Sequence, residues 1–201
     1  MIEFIEQEHL YLVDGVITPS VTQILQFLFP NKYKDVPPEI LAKKAEYGSI
    51  LHKVIEIAEQ EQMFNIEQIK YKIEGINYII ENSFEQYLKL KEKYRIKVLE
   101  QEQIVAYKNL YCGTFDMIAN VNNKKSLIDI KTTAELDKEY LSWQLSFYEL
   151  AKGKRYEKLY AIWLPKKNLA KLVEIKRKSK KELIEMLNKY LEDKEIENKE
   201  D

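Results

Sequence analysis

The 201-residue sequence is poor in cysteine and histidine, with one Cys and two His. A single cysteine, Cys112, excludes an internal disulfide and any zinc or iron–sulfur site built from several thiolates. No stretch approaches the ~20 apolar residues that a membrane span requires. The first ten residues, MIEFIEQEHL, lack the basic start and apolar core of a signal peptide. We therefore expect a cytoplasmic protein with no membrane partner.

Two further classes of catalytic site lack their sequence motifs. No P-loop or dinucleotide-binding glycine pattern occurs, so we expect no nucleotide cofactor. Ser126 and Ser142 have no His and Asp partners in a recognisable motif, which argues against a serine-type triad.

Charge is nearly balanced overall, with a net charge of −1, but it is unevenly distributed. Residues 152–181 contain twelve Lys or Arg against two acids, whereas residues 182–201 contain eight acids and three lysines. This pattern suggests a polyanion-binding surface, although a solvated lysine-rich face gives the same pattern. The length favours one domain over 1–192, with an N-terminal hairpin and helices in 1–93 and a core in 97–192. The acidic residues 193–201 are expected to form a frayed tail.

Apolar spacing predicts strands followed by helices in the first half of the chain. Short strands flank an Asp14-Gly15 turn. Ser20 followed by Gln23 is a capping-box signature for a helix ending near Phe29. Helical spacing then predicts one helix over 38–62 and a second over 65–93, with Asn65 as its cap.

The apolar period changes to two after residue 97. Three strands are predicted in succession within 98–107, 109–121 and 126–132, which is typical of an antiparallel meander. A helix over 136–152, two strands within 158–164 and 170–176, and a helix from Ser179 follow. We expect an α/β domain whose central mixed sheet contains the meander and is flanked by helices.

The predicted hairpin places two carboxylates together. If Asn122-Asn123 is a two-residue turn, Asp116 lies directly opposite Asp129, with their Cβ atoms about 5 Å apart. Lys131 then shares the face of Asp129. Opposed carboxylates need a proton, a lysine or a cation between them, and oxygen ligands favour Mg²⁺ or Mn²⁺. If the turn has four residues, Asp116 instead faces Lys131 in a plain cross-strand ion pair. The hairpin alone leaves both interpretations open.

Two helical segments carry further polar pairs at i, i+4 spacing. His52 and Glu56 share a helical face, one turn after Gly48, and Gln144 and Tyr148 do the same in the helix over 136–152. Taken singly, a helical histidine is usually a core or surface residue, and a Gln/Tyr pair usually packs or forms hydrogen bonds. Gly48 within a helix suggests that another backbone approaches closely.

Taken in order, these fragments resemble the PD-(D/E)XK nuclease superfamily, in particular its RecB-type branch, which includes phage exonucleases and the mitochondrial genome-maintenance exonuclease. The resemblance covers about residues 48–148, and the segment ITPSVTQIL over 17–25 is similar to one that opens many phage members. The matching residues are GxxxHxxxE (Gly48, His52, Glu56), GxxD (Gly113, Asp116), DxK (Asp129, Ile130, Lys131) and QxxxY (Gln144, Tyr148).

The resemblance implies a restriction-endonuclease-like core and a role for each matching residue. Asp116, Asp129 and the Ile130 carbonyl would bind Mg²⁺ or Mn²⁺, and His52 would complete or adjoin the metal shell. Lys131 would position or deprotonate the attacking water, or neutralise charge on the phosphate, and Gln144 would hold the geometry of Lys131 or of the DNA. Weaker candidates are Glu56, Tyr148 and Glu102, the last on the strand before GxxD. The iron–sulfur members need four cysteines, so no such cluster is expected.

The implied activity is that of a divalent-metal-dependent DNA exonuclease in phage or bacterial replication, recombination or repair, located in the bacterial cytoplasm. Relatives suggest single-stranded or free DNA ends as substrate and a recombination or replication protein as partner; the oligomeric state stays open. The alternatives are a structure- or sequence-specific endonuclease and a catalytically silent nucleic-acid-binding module. Tyr156, Tyr160 and Trp163, interleaved with the basic residues of 152–181, would stack bases or pack in a core, and we favour the core for Trp163.

Overall fold

The structure is a computed structural model that describes residues 2–5, 10–167 and 169–200, with side chains described up to residue 196. The predicted α/β class is confirmed, since helices accompany a five-stranded mixed sheet and a three-stranded antiparallel sheet. In chain order the elements are β1 Ile2–Ile5, β2 Leu10–Val13, β3 Val16–Thr18, α1 Val21–Leu28, α2 Pro38–Gln60, α3 Ile66–Lys70, α4 Tyr78–Lys93, β4 Lys97–Tyr107, β5 Tyr111–Val121, β6 Lys124–Lys131, α5 Lys138–Lys152, β7 Lys158–Trp163, β8 Lys171–Glu174 and α6 Lys180–Glu200.

The N-terminal elements form as the sequence predicts. β1, β2 and β3 pair antiparallel, and Asp14 and Gly15 make the β2–β3 turn with φ of 52° and 79°. The predicted first two strands also reach into residues 6–9, which lie outside the described residues. Ser20 caps α1 in a reciprocal capping box, in which the Gln23 N–H donates to Ser20 Oγ and the Ser20 N–H donates to Gln23 Oε1.

The prediction of one helix over 65–93 is wrong. The segment forms α3 and α4, separated by residues 71–77. Within this connection Gly75 adopts φ of 82°, which is incompatible with a continuous helix, and the Asn77 side chain caps α4 by accepting the Ile79 and Ile80 N–H groups. Asn65 caps α3 as predicted. Helical apolar spacing persists on both sides of the break, so periodicity alone does not predict the break.

The five-stranded sheet has the order β4-β5-β6-β7-β8. β4, β5 and β6 form the predicted antiparallel meander, β7 adds parallel to β6 after the crossover through α5, and β8 returns antiparallel to β7. The prediction of a mixed sheet with an antiparallel meander is therefore confirmed.

The β5–β6 hairpin has a two-residue turn. Asn122 and Asn123 adopt φ of 47° and 67°, and Val121 pairs with Lys124. Positive φ at both central residues is the geometry of a type I′ turn, which matches the twist of the flanking strands. The alternative four-residue turn is excluded. The ladder continues in this register to its last pair, Met117 and Ile128, so that Asp116 and Asp129 follow next.

Helices pack on both faces of this sheet. One apolar cluster joins the sheet to α1, α5 and α6, and a second joins it to α2, α3 and α4. The carboxyl end of β6 therefore lies between α2 on one face and α5 on the other. Polar side chains from both helices can meet there.

The chain ends in α6, which extends to Glu200 and thus into the segment predicted as a frayed acidic tail over 193–201. None of the helices in the described ranges combines the length and apolar character needed to cross a bilayer.

Candidate functional site

The candidate site lies where the β5–β6 ladder stops. Instead of pairing with the Asp129 backbone, Asp116 turns its carboxylate between the strands, and its Oδ2 accepts the Ile130 N–H at 2.5 Å. A carboxylate that accepts a backbone N–H is fixed in position. Its second oxygen, Oδ1, faces α2.

His52 approaches this oxygen from α2. Its Nδ1 lies 3.8 Å from Asp116 Oδ1, and its Nε2 lies 3.1 Å from the Ile130 carbonyl oxygen. Because a carbonyl oxygen only accepts hydrogen bonds, Nε2 is the donor. In the neutral imidazole, Nδ1 then keeps its lone pair and directs it towards the Asp116 carboxylate. Two electron-pair donors that face each other in this way are suited to a cation.

Glu102 joins them from β4. The β4–β5 register pairs Gln101 with Met117 and Gln103 with Phe115, which places Glu102 opposite Asp116. Glu102 itself has φ of 45°, a conformation that non-glycine residues rarely adopt within a strand. Such local strain persists only where the surroundings enforce it, and it is concentrated at functional sites.

His52, Glu102 and Asp116 each offer a ligand atom, and these atoms lie within 4.8 Å of one another. We call these three residues the carboxylate–histidine cluster. Burial, together with the charges of Asp116 and Glu56, raises the pKa of Glu102 to about 8. A divalent cation would remove this repulsion between carboxylates.

Asp129 and Lys131 stand beside the cluster as an ion pair. Asp129 is only 2% exposed, and Lys131 Nζ lies 3.0 Å from its Oδ1 and 2.7 Å from its Oδ2. Burial raises the pKa of Asp129 to about 6, with Asp116 adding to the rise and Lys131 opposing it. Asp129 is not one of the three residues within 4.8 Å, so its predicted role as a metal ligand stays a prediction.

Lys131 is held in its charged form. Burial lowers its pKa, but the charges of Asp129 and Asp116 outweigh burial, and the net shift is upward. An ammonium group donates and carries charge but cannot accept a proton. In the cation-free protein, Lys131 therefore has the character of an electrostatic group rather than of a base.

Gln144 and Tyr148 extend the site from α5. The Gln144 amide nitrogen donates to the Tyr148 hydroxyl at 3.4 Å, and the charges of Asp129 and Asp116 reach the Tyr148 ring. Gln144 is 8% exposed, and its Oε1 accepts no hydrogen bond from the described residues. A buried oxygen without a donor costs about 1–3 kcal/mol unless a bound group supplies one.

The two motif glycines allow close packing around the site. A Cβ on Gly113 would lie 2.8 Å from Tyr148 Cε1, and one on Gly48 would lie 3.3 Å from Thr132 Oγ1. Gly113 thus lets the Tyr148 ring rest on β5. At Gly48 the close neighbour is the Thr132 side chain rather than the backbone that the sequence suggests.

Replacing Gly113 by Ala is expected to lower the free energy of unfolding by about 1–3 kcal/mol, because the buried Tyr148 ring has no room to move. Gly48→Ala is the matched control, because its new Cβ would contact only the Thr132 hydroxyl, at 3.3 Å, and because alanine favours the helix. Urea denaturation of both variants measures the difference. An equal or smaller loss in Gly113→Ala would contradict the packing role of Gly113.

Glu56 and the basic segment lie outside the cluster. Glu56 binds Lys53 at 2.7 Å and Gln60 at 3.1 Å. Five of the twelve cations of 152–181 form ion pairs with acids: Lys152–Glu100, Lys158–Glu174, Arg177–Glu149, Lys178–Glu139 and Lys181–Glu185. Part of the segment's charge is therefore paired within the fold, and polyanion binding there stays a prediction.

The aromatic residues of the basic segment divide differently from the prediction. Tyr156 is buried, at 3% exposure, whereas Trp163 is only partly buried and its indole N–H donates to the Thr133 carbonyl at 2.7 Å. The expectation that Trp163 is a core residue is wrong. Trp163 pairs with Lys131 across the parallel β6 and β7 strands, so it lies at the same carboxyl end of the strands as the site.

From sequence Glu102 is a weaker candidate than Asp129, whereas the structure brings Glu102 into the cluster. The signal that identifies it is the β4–β5 register, set by the three-residue connection from Tyr107 to Tyr111. Once this register is known, Glu102 falls opposite Asp116 as directly as Asp129 does.

Comparisons with known proteins add little. No protein-family model matches the chain, and no curated protein matches it. Among solved structures, the chain is similar to one titled "Crystal structure of SSO0001", with 15% identity, a TM-score of 0.36, and coverage of 83% of this chain and 82% of that one. A likeness at this TM-score carries no argument. The chemistry of the site is therefore what bears on function.

Proposed function

We propose that the protein is a divalent-metal-dependent nuclease of the PD-(D/E)XK type, with a restriction-endonuclease-like core, that hydrolyses DNA phosphodiester bonds. The observation that carries the proposal is the carboxylate–histidine cluster next to the buried Asp129–Lys131 ion pair. The ordered motifs of the sequence support the same assignment.

The donor set fits Mg²⁺ or Mn²⁺. Glu102 and Asp116 offer hard carboxylate oxygens, and the imidazole of His52 is a ligand that Mn²⁺ also accepts. One buried oxygen supports a bound group at this place, since Gln144 Oε1 accepts no hydrogen bond from the described residues. Asp129 Oδ2, by contrast, lies 2.7 Å from Lys131 Nζ. The Ile130 carbonyl engages His52 Nε2 and has a second lone pair.

When bound, a divalent cation supplies Lewis-acid polarisation of the phosphate and activation of water. The chain's own residues supply orientation and charge. Asp116 is fixed by the Ile130 N–H, and His52 is oriented by the Ile130 carbonyl. Lys131, held by Asp129, brings a positive charge to the carboxyl end of β6, where negative charge would develop on the phosphate.

Incubation of the purified protein with labelled linear DNA is expected to give degradation that requires Mn²⁺ or Mg²⁺ and stops in EDTA. Closed circular DNA in the same assay separates the activities, because an exonuclease leaves circles intact and an endonuclease opens them. Exonuclease action is the expected result. Intact linear DNA with both cations would contradict the proposal, and salt-sensitive binding without cleavage would favour the silent binding module.

A further inference from the structure

We propose that the loop between α1 and α2 forms one wall of the substrate path, and that Tyr33 in this loop stacks on an unpaired base next to the scissile phosphate. The inference rests on the proposed nuclease function and assigns a binding residue to it. Tyr33 is 50% exposed, whereas its neighbour Lys32 is partly buried.

The loop is fixed to α5 by Lys32. Lys32 Nζ lies 2.7 Å from Asp137 Oδ2 and 3.4 Å from the centroid of the Tyr140 ring. Asp137 is also the N-cap of α5, and the Tyr140 N–H donates to its Oδ1. Phe29 packs on Tyr140 with ring centroids 5.5 Å apart. One lysine thus ties the loop to the first turn of α5.

This attachment brings the loop to the start of α5, which follows Lys131 and the carboxyl end of β6 in the chain. Burial raises the pKa of Tyr33, and the charge of Lys131 partly offsets that rise. Lys131 acts in the same sense on Tyr140, whose pKa burial raises to about 12. Tyr33 and Tyr140 line the same cleft, and Tyr140 lies one helical turn before Gln144 on α5.

The wall has the chemistry of a single-strand path. A cleft of about 160 Å³ runs along the loop, and Lys32, Tyr33, Lys34 and Tyr140 are among the residues that line it. In single-strand binding sites, lysines bind the phosphate backbone and exposed aromatic rings stack on the faces of the bases. The bound strand would lie along this cleft, with its scissile phosphate at Lys131.

Stacking on Tyr33 requires an unpaired base. In a duplex both faces of each internal base are covered by its neighbours, so a tyrosine ring has no face to contact. In a single strand the face is free, and base–aromatic stacking strengthens binding without sequence preference. The Tyr33 wall thus favours single-stranded DNA over blunt duplex DNA.

The test measures binding of a fluorescein-labelled single-stranded oligonucleotide in Ca²⁺, with a blunt duplex in parallel. Tyr33→Ala is expected to weaken single-strand binding by about tenfold or more, and Tyr33→Phe, which keeps the ring, to retain it. Tyr71→Ala is the matched control, because Tyr71 is 93% exposed at the end of α3. An oligonucleotide with abasic sites provides a second arm, in which wild type should bind about as weakly as Tyr33→Ala binds the normal strand.

The outcomes separate this inference from the proposed function. Equal single-strand binding by wild type and Tyr33→Ala overturns the inference. So does a Tyr33→Ala variant whose loss of affinity is as large on the abasic strand as on the normal strand. A wild type that binds no single strand also overturns it. Failure of the nuclease proposal is read separately, from cleavage of linear DNA in Mn²⁺. A Tyr33-dependent binder that cleaves nothing would retain the inference and overturn the nuclease.

Discussion

Replacing Asp116 by Asn is expected to reduce metal-dependent DNA hydrolysis by about a thousandfold or more, while the cation-free protein remains as stable as wild type. The loss follows because several kcal/mol of transition-state stabilisation depend on a correctly held cation. Stability is retained because the amide oxygen of Asn can still accept the Ile130 N–H, the contact that fixes the side chain between the strands.

The stability result distinguishes a cation site from a structural ion pair. If Asp116 served mainly to pair with His52, at 3.8 Å, its neutralisation would destabilise the fold. In the cluster, however, Asp116 raises the pKa of Glu102 and repels it, so its charge is unfavourable without a cation. Asp116→Asn should therefore leave the melting temperature in EDTA unchanged or raise it.

Titration calorimetry with Mn²⁺ and thermal denaturation with and without Mn²⁺ provide the measurements. A cation that binds the native state raises the melting temperature of the protein. Wild type should therefore gain stability from Mn²⁺, whereas Asp116→Asn, which binds the cation poorly, should gain little. Asp35→Asn, an exposed position in the α1–α2 loop, controls for loss of one charge. Equal Mn²⁺ stabilisation of wild type and Asp116→Asn would contradict the cluster as a cation site.

The hairpin at the centre of the site is readable from sequence because its turn is local. Asn tolerates positive φ, so Asn122-Asn123 favours a two-residue turn, in which strand alternation places Asp116 opposite Asp129. The four-residue alternative is excluded only by the structure. The capping box of Ser20 is likewise local. In both cases a few neighbouring side chains decide the backbone geometry.

The errors arise where local backbone geometry or distant packing competes with periodicity. Gly75 and Asn77 interrupt a segment whose apolar spacing is helical throughout, because one positive φ and one cap outweigh the pattern. The positive φ of Glu102 is not a property that glutamate predicts. Nor does any local pattern predict that Lys32 joins the α1–α2 loop to Asp137, 105 residues away in the chain.

Lys131 is expected to be needed for stability as well as for activity. Lys131→Met should lower the free energy of unfolding at pH 7 by about 2–4 kcal/mol, because it leaves the Asp129 carboxylate buried without its partner. The lower end of that range applies if water replaces the ammonium, since the Lys131 side chain keeps 25% exposure. Lys97→Met, at an exposed strand position, is the control. Urea denaturation at constant pH gives the difference.

The pH dependence of this loss follows from Asp129. Burial already raises the pKa of Asp129 to about 6 in the presence of Lys131, and removal of the lysine raises it further. A carboxyl whose folded-state pKa lies above its unfolded value of about 4 destabilises the fold when ionised, and protonation relieves it. The deficit of Lys131→Met relative to wild type should therefore grow from pH 5 to pH 8. A deficit that does not change over this range would indicate that lost packing, rather than charge, is the cause.

The double variant Lys131→Met/Asp129→Asn separates the structural role from the catalytic one. Its neutral side chains no longer leave a buried charge unpaired, so most of the lost stability should return, whereas hydrolysis should stay at the background level. Recovery of stability without activity would mean that the Asp129–Lys131 pair takes part in the reaction as well as balancing its own buried charge. If the double variant recovered DNA hydrolysis together with stability, Lys131 would be only the ion-pair partner of a buried carboxylate, and charge stabilisation of the phosphate would have to come from elsewhere in the site.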